Sequence, residues 1–201
     1  MPDVTWFRAP VDDDPGTLNA CYDALDIHVV RGRADEVALA LGGTEHTFAW
    51  LLTEVAACAG VLRAFGTGVG DRVVLGRLPS LTGVVVALAV ARVGAEAVYD
   101  DSPAAAGVLA VTGGDDAVSF TVDAEEVPWA VAMRAGRTDP APCADVPGDA
   151  ILCRHGDDTL SVLEALGASG DHKVPVPAGA TLVEVGGLGL WSFGAPDQPT
   201  G

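Results

Sequence analysis

Lysine is almost missing from this chain of 201 residues. Lys173 stands alone, and lysine and arginine together number 11 against 28 aspartates and glutamates. The net charge of −17 repels phosphate-rich surfaces, which argues against nucleic acid and anionic lipid as partners. Aromatic residues make up only 5% of the chain. The longest apolar run, Val84 to Ala95, is interrupted by Arg92 and is too short to span a bilayer. The four cysteines, Cys21, Cys58, Cys143 and Cys153, show no CxxC spacing, so no zinc-finger or redox-dithiol motif is legible. They are expected to be reduced, buried, small hydrophobes. The start, MPDVTWFRAPVDDDPG, lacks the basic-then-apolar order of a secretory signal, and a cytoplasmic location is expected.

Small apolar residues fill the chain instead. Ala, Val, Leu and Gly dominate a composition that is 49% hydrophobic and 19% charged, which excludes disorder and favours close-packed α/β layers. Leu18, Tyr22, Leu25 and Val29 recur at helical spacing, with Thr17 as the expected N-cap and Gly32 as the stop. EVALALGGTEHTF reads as two strands around Gly42-Gly43. AWLLTEVAACAGVLRAFG is an amphipathic helix closed by Gly66, and DRVVLGRL is a buried strand. A helix from Pro79-Ser80 to Gly94 follows, then the strands EAVY and AGVLAVTG. Beyond these come a strand VSFTV, a helix around EVPWAVAMRAG and the Pro-rich connector TDPAPCADVPGD. A strand AILC, a helix TLSVLEALG and the β-rich stretch ATLVEVGGLGLWSF complete the reading. Strands alternating with helices predict an α/β fold with a mostly parallel sheet flanked by helices.

Several of these segments, in order, resemble the start of acyl-CoA synthetases of the acetyl- and propionyl-CoA type, within the AMP-binding, adenylate-forming superfamily. Trp6-Phe7, Leu18-Asn19, Tyr22, Asp26 and His28 resemble that family's N-terminal signature, with an acidic insertion between its halves. TFAWLLTEV resembles the opening of its first long helix, and FGTGVGDRVVL its turn into a strand. LPSLTGVVVALAVARVGA resembles the next helix with its Ala-Arg-x-Gly-Ala ending. The resemblance implies one domain like the first subdomain of those enzymes. Residues 1–16 form an acidic leader, 17–138 a family-like core and 139–201 a divergent remainder.

The family activates a carboxylate with ATP and passes the acyl group to CoA. The resemblance implies a Ser/Thr/Gly-rich loop ending in Lys that wraps the triphosphate, because small residues let backbone N–H groups reach phosphate. That position here is RHGDDTLSV, where only Gly156 and Thr159 keep the expected chemistry. Asp157 and Asp158 put carboxylates where phosphate belongs. Two unit charges ~5 Å apart repel by about 3 kcal/mol at an effective dielectric near 20. The residues after Val162 offer no adenine pocket, ribose-binding Asp, Mg²⁺ carboxylate or catalytic Lys, so a truncated, non-adenylating chain without bound ATP or CoA is expected.

Arg154-His155-Gly156 also resembles the signature of histidine phosphatases, with His155 as phosphate acceptor and Arg154 in the anion pocket. That chemistry needs further cations and a second histidine, and His172 is the one later histidine. His155 with Asp157 or Asp158 matches no recognised metal-ligand spacing. A bound metal is therefore not expected. The leading expectation is a binding, scaffold or regulatory partner that associates with itself or another protein and takes at most a small acyl ligand. The rival is a repurposed enzyme using His155, Asp157, Asp158 and Cys153 near a strand end. GGLGLWSF is read either as a replacement strand that seals the fragment or as an ordinary terminal strand.

Overall fold

A computed structural model of the chain describes residues 4–100, 105–114, 117–167 and 174–193. Lys173 and His172 lie outside the described residues. The fold begins with two short strands, β1 (Trp6–Arg8) and β2 (Thr17–Leu18), paired antiparallel. Thr17 is therefore engaged in a ladder and does not cap the first helix. Asn19 does: its Oδ1 accepts the Tyr22 N–H at 3.2 Å. The helix runs as a π-wound turn over Tyr22–Asp26 and continues as α1 (Ile27–Val30) up to Gly32.

The next elements follow the sequence reading closely. Strands β3 (Val37–Leu41) and β4 (Thr44–Thr47) form a hairpin around Gly42-Gly43. Thr47 then caps α2 (Phe48–Ala64), its Oγ1 accepting the Trp50 N–H. Strand β5 (Arg72–Leu75) leads into α3 (Ser80–Val93), which Gly94 stops in the left-handed conformation. Strand β6 (Glu96–Tyr99) returns parallel to β5, and β7 (Leu109–Thr112) lies on the other side of β5, also parallel. The α3 segment from Val84 to Val93 is buried all round, because it packs between the sheet and neighbouring helices.

Beyond β7 the architecture departs from expectation in three places. Strands β8 (Ser119–Val122) and β9 (Glu125–Pro128) form a hairpin, so the helix there is confined to α4 (Trp129–Gly136). After β10 (Val146–Pro147), which pairs with β2, strand β11 (Ile151–His155) joins the sheet beside β6. Asp158–Ser161 then forms β12 where a helix was expected, leaving only α5 (Val162–Ala165) helical. A capping box fixes that boundary: the Ser161 side chain accepts from the Glu164 N–H while Glu164 accepts from the Ser161 N–H. Finally, β13 (Thr181–Val185) and β14 (Leu188–Ser192) pair only with each other, so GGLGLWSF does not extend the main sheet.

The main sheet has seven strands in the order β12-β11-β6-β5-β7-β8-β9. Its four central strands run parallel, and an antiparallel hairpin finishes each side. Both edges are guarded against further pairing. Glu125, Glu126 and Pro128 are exposed on β9, and Asp158 on the four-residue β12. Helix α4 crosses α2 at very close range: a Cβ at Gly60 would stand 2.2 Å from the Asp139 carbonyl, and one at Gly136 2.1 Å from that of Ala57. No helix among the described residues is long and apolar enough to cross a membrane.

One polar cluster ties the chain's distant parts together. Asn19 is fully buried, and its Nδ2 lies within hydrogen-bond reach of the carbonyls of Ala91 (3.3 Å), Arg92 (3.0 Å) and Ala144 (2.9 Å). It thereby satisfies the C-terminus of α3 and the connector before β10. Arg92, 6% exposed, donates through Nη1 and Nη2 to both oxygens of Asp26 and through Nε to the Ala141 carbonyl. Burial works against its charge, but the hydrogen bonds to Asp26 hold the guanidinium protonated well above its ordinary range. We expect Asn19→Ala to destabilise the fold by about 3 kcal/mol, since it strands buried carbonyls and the Tyr22 N–H. Urea unfolding should show a lower midpoint at unchanged slope.

Candidate functional site

Ligands of parallel α/β sheets sit beyond the carboxyl ends of the strands, and the described residues hold a cleft there. Three neighbouring parallel strands supply its floor: Leu75, Gly76 and Arg77 at the end of β5, Tyr99 and Asp100 after β6, and His155 at the end of β11. Ala178, Gly179 and Phe193 close it from the side of the β13–β14 hairpin. The hairpin that contains GGLGLWSF therefore covers the strand ends without joining the main sheet. Trp191 anchors it, with Nε1 donating to Pro175 (2.7 Å) and its carbonyl accepting from the Tyr99 hydroxyl (2.9 Å).

His155 is the best-defined functional group of the cleft. Its Nδ1 donates to the Tyr99 carbonyl at 2.9 Å, which leaves Nε2 as the nitrogen carrying the lone pair. Phe193 stands 4.6 Å from the imidazole and 4.8 Å from the Tyr99 ring, centroid to centroid. The cleft volume is about 240 Å³. That is below the roughly 300–1,000 Å³ of sites for drug-sized molecules, so the space suits a small ligand only.

Of the other sequence candidates, Asp158 stands opposite His155 across the β11–β12 hairpin, and the rest are placed differently. Successive strand residues face opposite sides of a sheet, and Arg154 accordingly turns away to donate to Glu96 at 2.6 Å. Glu96 also accepts from Arg72. The anion pocket needed by a histidine phosphatase is thus not assembled by Arg154. Cys153 is buried, and burial, with Glu96 nearby, pushes its thiol far above the ordinary range. Asp157 and Asp158 are exposed at the hairpin tip. Tyr99, Arg77 and Phe193 were missed in the sequence, because only the sheet order brings the ends of β5, β6 and β11 together.

The phosphate-loop position has a definite shape. His155 pairs with Asp158 across β11 and β12, so Gly156 and Asp157 alone form the turn, and Thr159 lies within β12 opposite Arg154. Gly156 takes φ 58° at the first central position, as a tight two-residue hairpin requires. Three other hairpins are closed in the same way, by Gly42-Gly43, Asp123-Ala124 and Gly186-Gly187. Asp123 manages φ 52° without being glycine, its Oδ1 accepting the Gly107 N–H at 2.7 Å.

Among the family signature residues, the structure assigns structural work. His28 stacks on Phe48 and contacts the Gly186 carbonyl through Nε2 at 3.2 Å, while Arg33 Nη1 lies 2.9 Å from its Nδ1. Tyr22 packs edge-on against Phe7.

Comparison with known proteins gives a partial likeness. A search of protein-family models finds no match. A solved structure, apo MatB from Rhodopseudomonas palustris, covers 75% of this chain and 35% of its own at a TM-score of 0.50 and 18% identity, which shows a shared fold. The chain also has partial homology to acetyl-CoA synthetase. It is 38% identical over 99 residues, 47% of this chain, to the acetyl-coenzyme A synthetases of Burkholderia lata and Burkholderia mallei. The chain covers 14% of the length of these relatives.

Buried thiols with raised pKa stay protonated well above neutral pH and react slowly with alkylating agents. Cys58 and Cys153 both meet that description, burial being the main cause. Iodoacetamide at pH 8 should leave both unmodified in the native protein and label both in urea, as read by peptide mass analysis. Rapid native labelling of Cys153 would show that it is open to the cleft.

Proposed function

We propose that this chain is an acyl-CoA synthetase-like protein that does not adenylate and acts as a binding or regulatory partner. The two-residue turn at Gly156-Asp157 carries this reading. A triphosphate-wrapping loop must present several backbone N–H groups to one concave surface, and a closed two-residue turn has no such concavity. The exposed carboxylates of Asp157 and Asp158 add repulsion at the same place. The partner we favour is a full-length acyl-CoA synthetase, because the chain shares the framing part of that fold and its edge strands are guarded against self-pairing. Its association would be a protein-surface event, independent of ATP and CoA.

Calorimetric titration with ATP–Mg²⁺, AMP and CoA up to millimolar concentration should give no saturable heat. Incubation with acetate, propionate and ATP should release no pyrophosphate. Either signal would overturn the reading. Co-elution with a purified acetyl-CoA synthetase, together with a change in that enzyme's rate, is the expected positive result. Two independent elution peaks at unchanged rate would remove the partner.

A second reading rests on His155. Its fixed tautomer and its place at the strand ends suit a general base acting on a small substrate such as a short acyl compound. His155→Ala should abolish any hydrolytic or phosphatase activity found with small esters, thioesters or phosphomonoesters, and Arg154→Ala should leave it intact. Equal loss in both variants would assign the activity to a different site.

A further inference from the structure

Cys21, Asp26 and Cys143 lie far apart in the sequence, yet their sulfur and carboxylate atoms all fall within 4.8 Å of one another. Cys21 opens the first helix, Asp26 ends its π-wound turn, and Cys143 sits on the Pro-rich connector before β10. The π winding is what aligns the first two. At roughly 3.6 residues per turn, positions five apart would point about 140° away from each other, whereas the wider π turn stacks them. Such turns are rare and concentrate at functional sites.

The spacing within the group suits a ligand set. Cys143 Sγ stands 3.7 Å from an Asp26 oxygen. Sulfur at ~2.3 Å and oxygen at ~2.0 Å from a tetrahedral zinc are separated by about 3.5 Å. Arg92 completes the surroundings, with Nη1 2.7 Å from Asp26 Oδ2 and 3.7 Å from Cys21 Sγ. Two thiolates and one carboxylate around a divalent cation leave a single negative charge, and the adjacent guanidinium cancels it. A carboxylate has lone pairs enough to serve the metal and Arg92 together.

We propose that Cys21, Asp26 and Cys143 bind a thiophilic divalent cation of the zinc type, with Arg92 as its charge-balancing neighbour and solvent in the fourth position. Loading forms two metal–sulfur bonds and one metal–oxygen bond and releases the two thiol protons to solvent. This binding would pin the connector to the first helix, and it is independent of the cleft at His155.

The test uses the full chain, reduced and stripped with a chelator, titrated with cobalt(II) and then zinc(II). A thiolate-to-cobalt charge-transfer band should saturate at one equivalent, with two protons released per metal, and zinc should displace it. Cys143→Ala should remove the band and weaken zinc binding at least about 100-fold, beyond what loss of an outer-shell partner costs. Cys153→Ala should retain both. Zinc should also slow alkylation of Cys143 in the unsubstituted protein, a readout that needs no variant to fold. A band that survives Cys143→Ala, the absence of a saturable band, or unchanged alkylation would overturn the site.

Discussion

The C-terminal end of α3 is the point on which the molecule hangs. A helix buried from Val84 to its C-terminus cannot leave its last carbonyls to water, so the chain must supply a donor from elsewhere. Asn19 is that donor, and its other end starts the first helix. Arg92 extends the constraint, because a guanidinium buried this deeply requires a carboxylate, and Asp26 meets it with both oxygens. The same arginine holds the connector at Ala141, ahead of β10, which pairs with β2 in the small sheet.

Seen from that anchor, the molecule divides into a framework shared with the synthetases and a periphery built by a simpler rule. Strand, two-residue turn, strand is used four times, at Gly42-Gly43, Asp123-Ala124, Gly156-Asp157 and Gly186-Gly187. Three of the four run straight into a helix, α2, α4 or α5. The place where the family resemblance implies a triphosphate loop is one more instance of this device. Its geometry is that of a turn: glycine takes the left-handed residue and the acids are exposed.

How much of this could be read in the sequence depended on how local the causes were. Helices α2 and α3 and strands β5 and β6 were legible because apolar periodicity and the punctuation at Gly66 and Gly94 lie within each segment. The β8–β9 hairpin was hidden because Asp123 replaces the glycine a reader looks for, and a side-chain bond to Gly107 makes that tolerable. The boundary at Ser161 was hidden because TLSVLEALG looks helical throughout until pairing with β11 claims its first residues. His155 was found, but its neighbours Tyr99, at the end of β6, and Phe193, just after β14, come from segments whose arrangement no single stretch encodes. Cys21 and Cys143 were read as separate hydrophobes, since neither their distance in sequence nor a π-wound helix leaves a motif.

The two-residue turn at Gly156-Asp157 also limits what substitution alone can do there. Exchanging Asp157 and Asp158 for serine, threonine or lysine would alter the charge and leave the strands stapled at the same separation. A wrapping loop differs from this turn in length, and length changes by insertion or deletion. Along that axis single replacements leave the turn as short as it is, so its reach is set by the backbone rather than by the side chains.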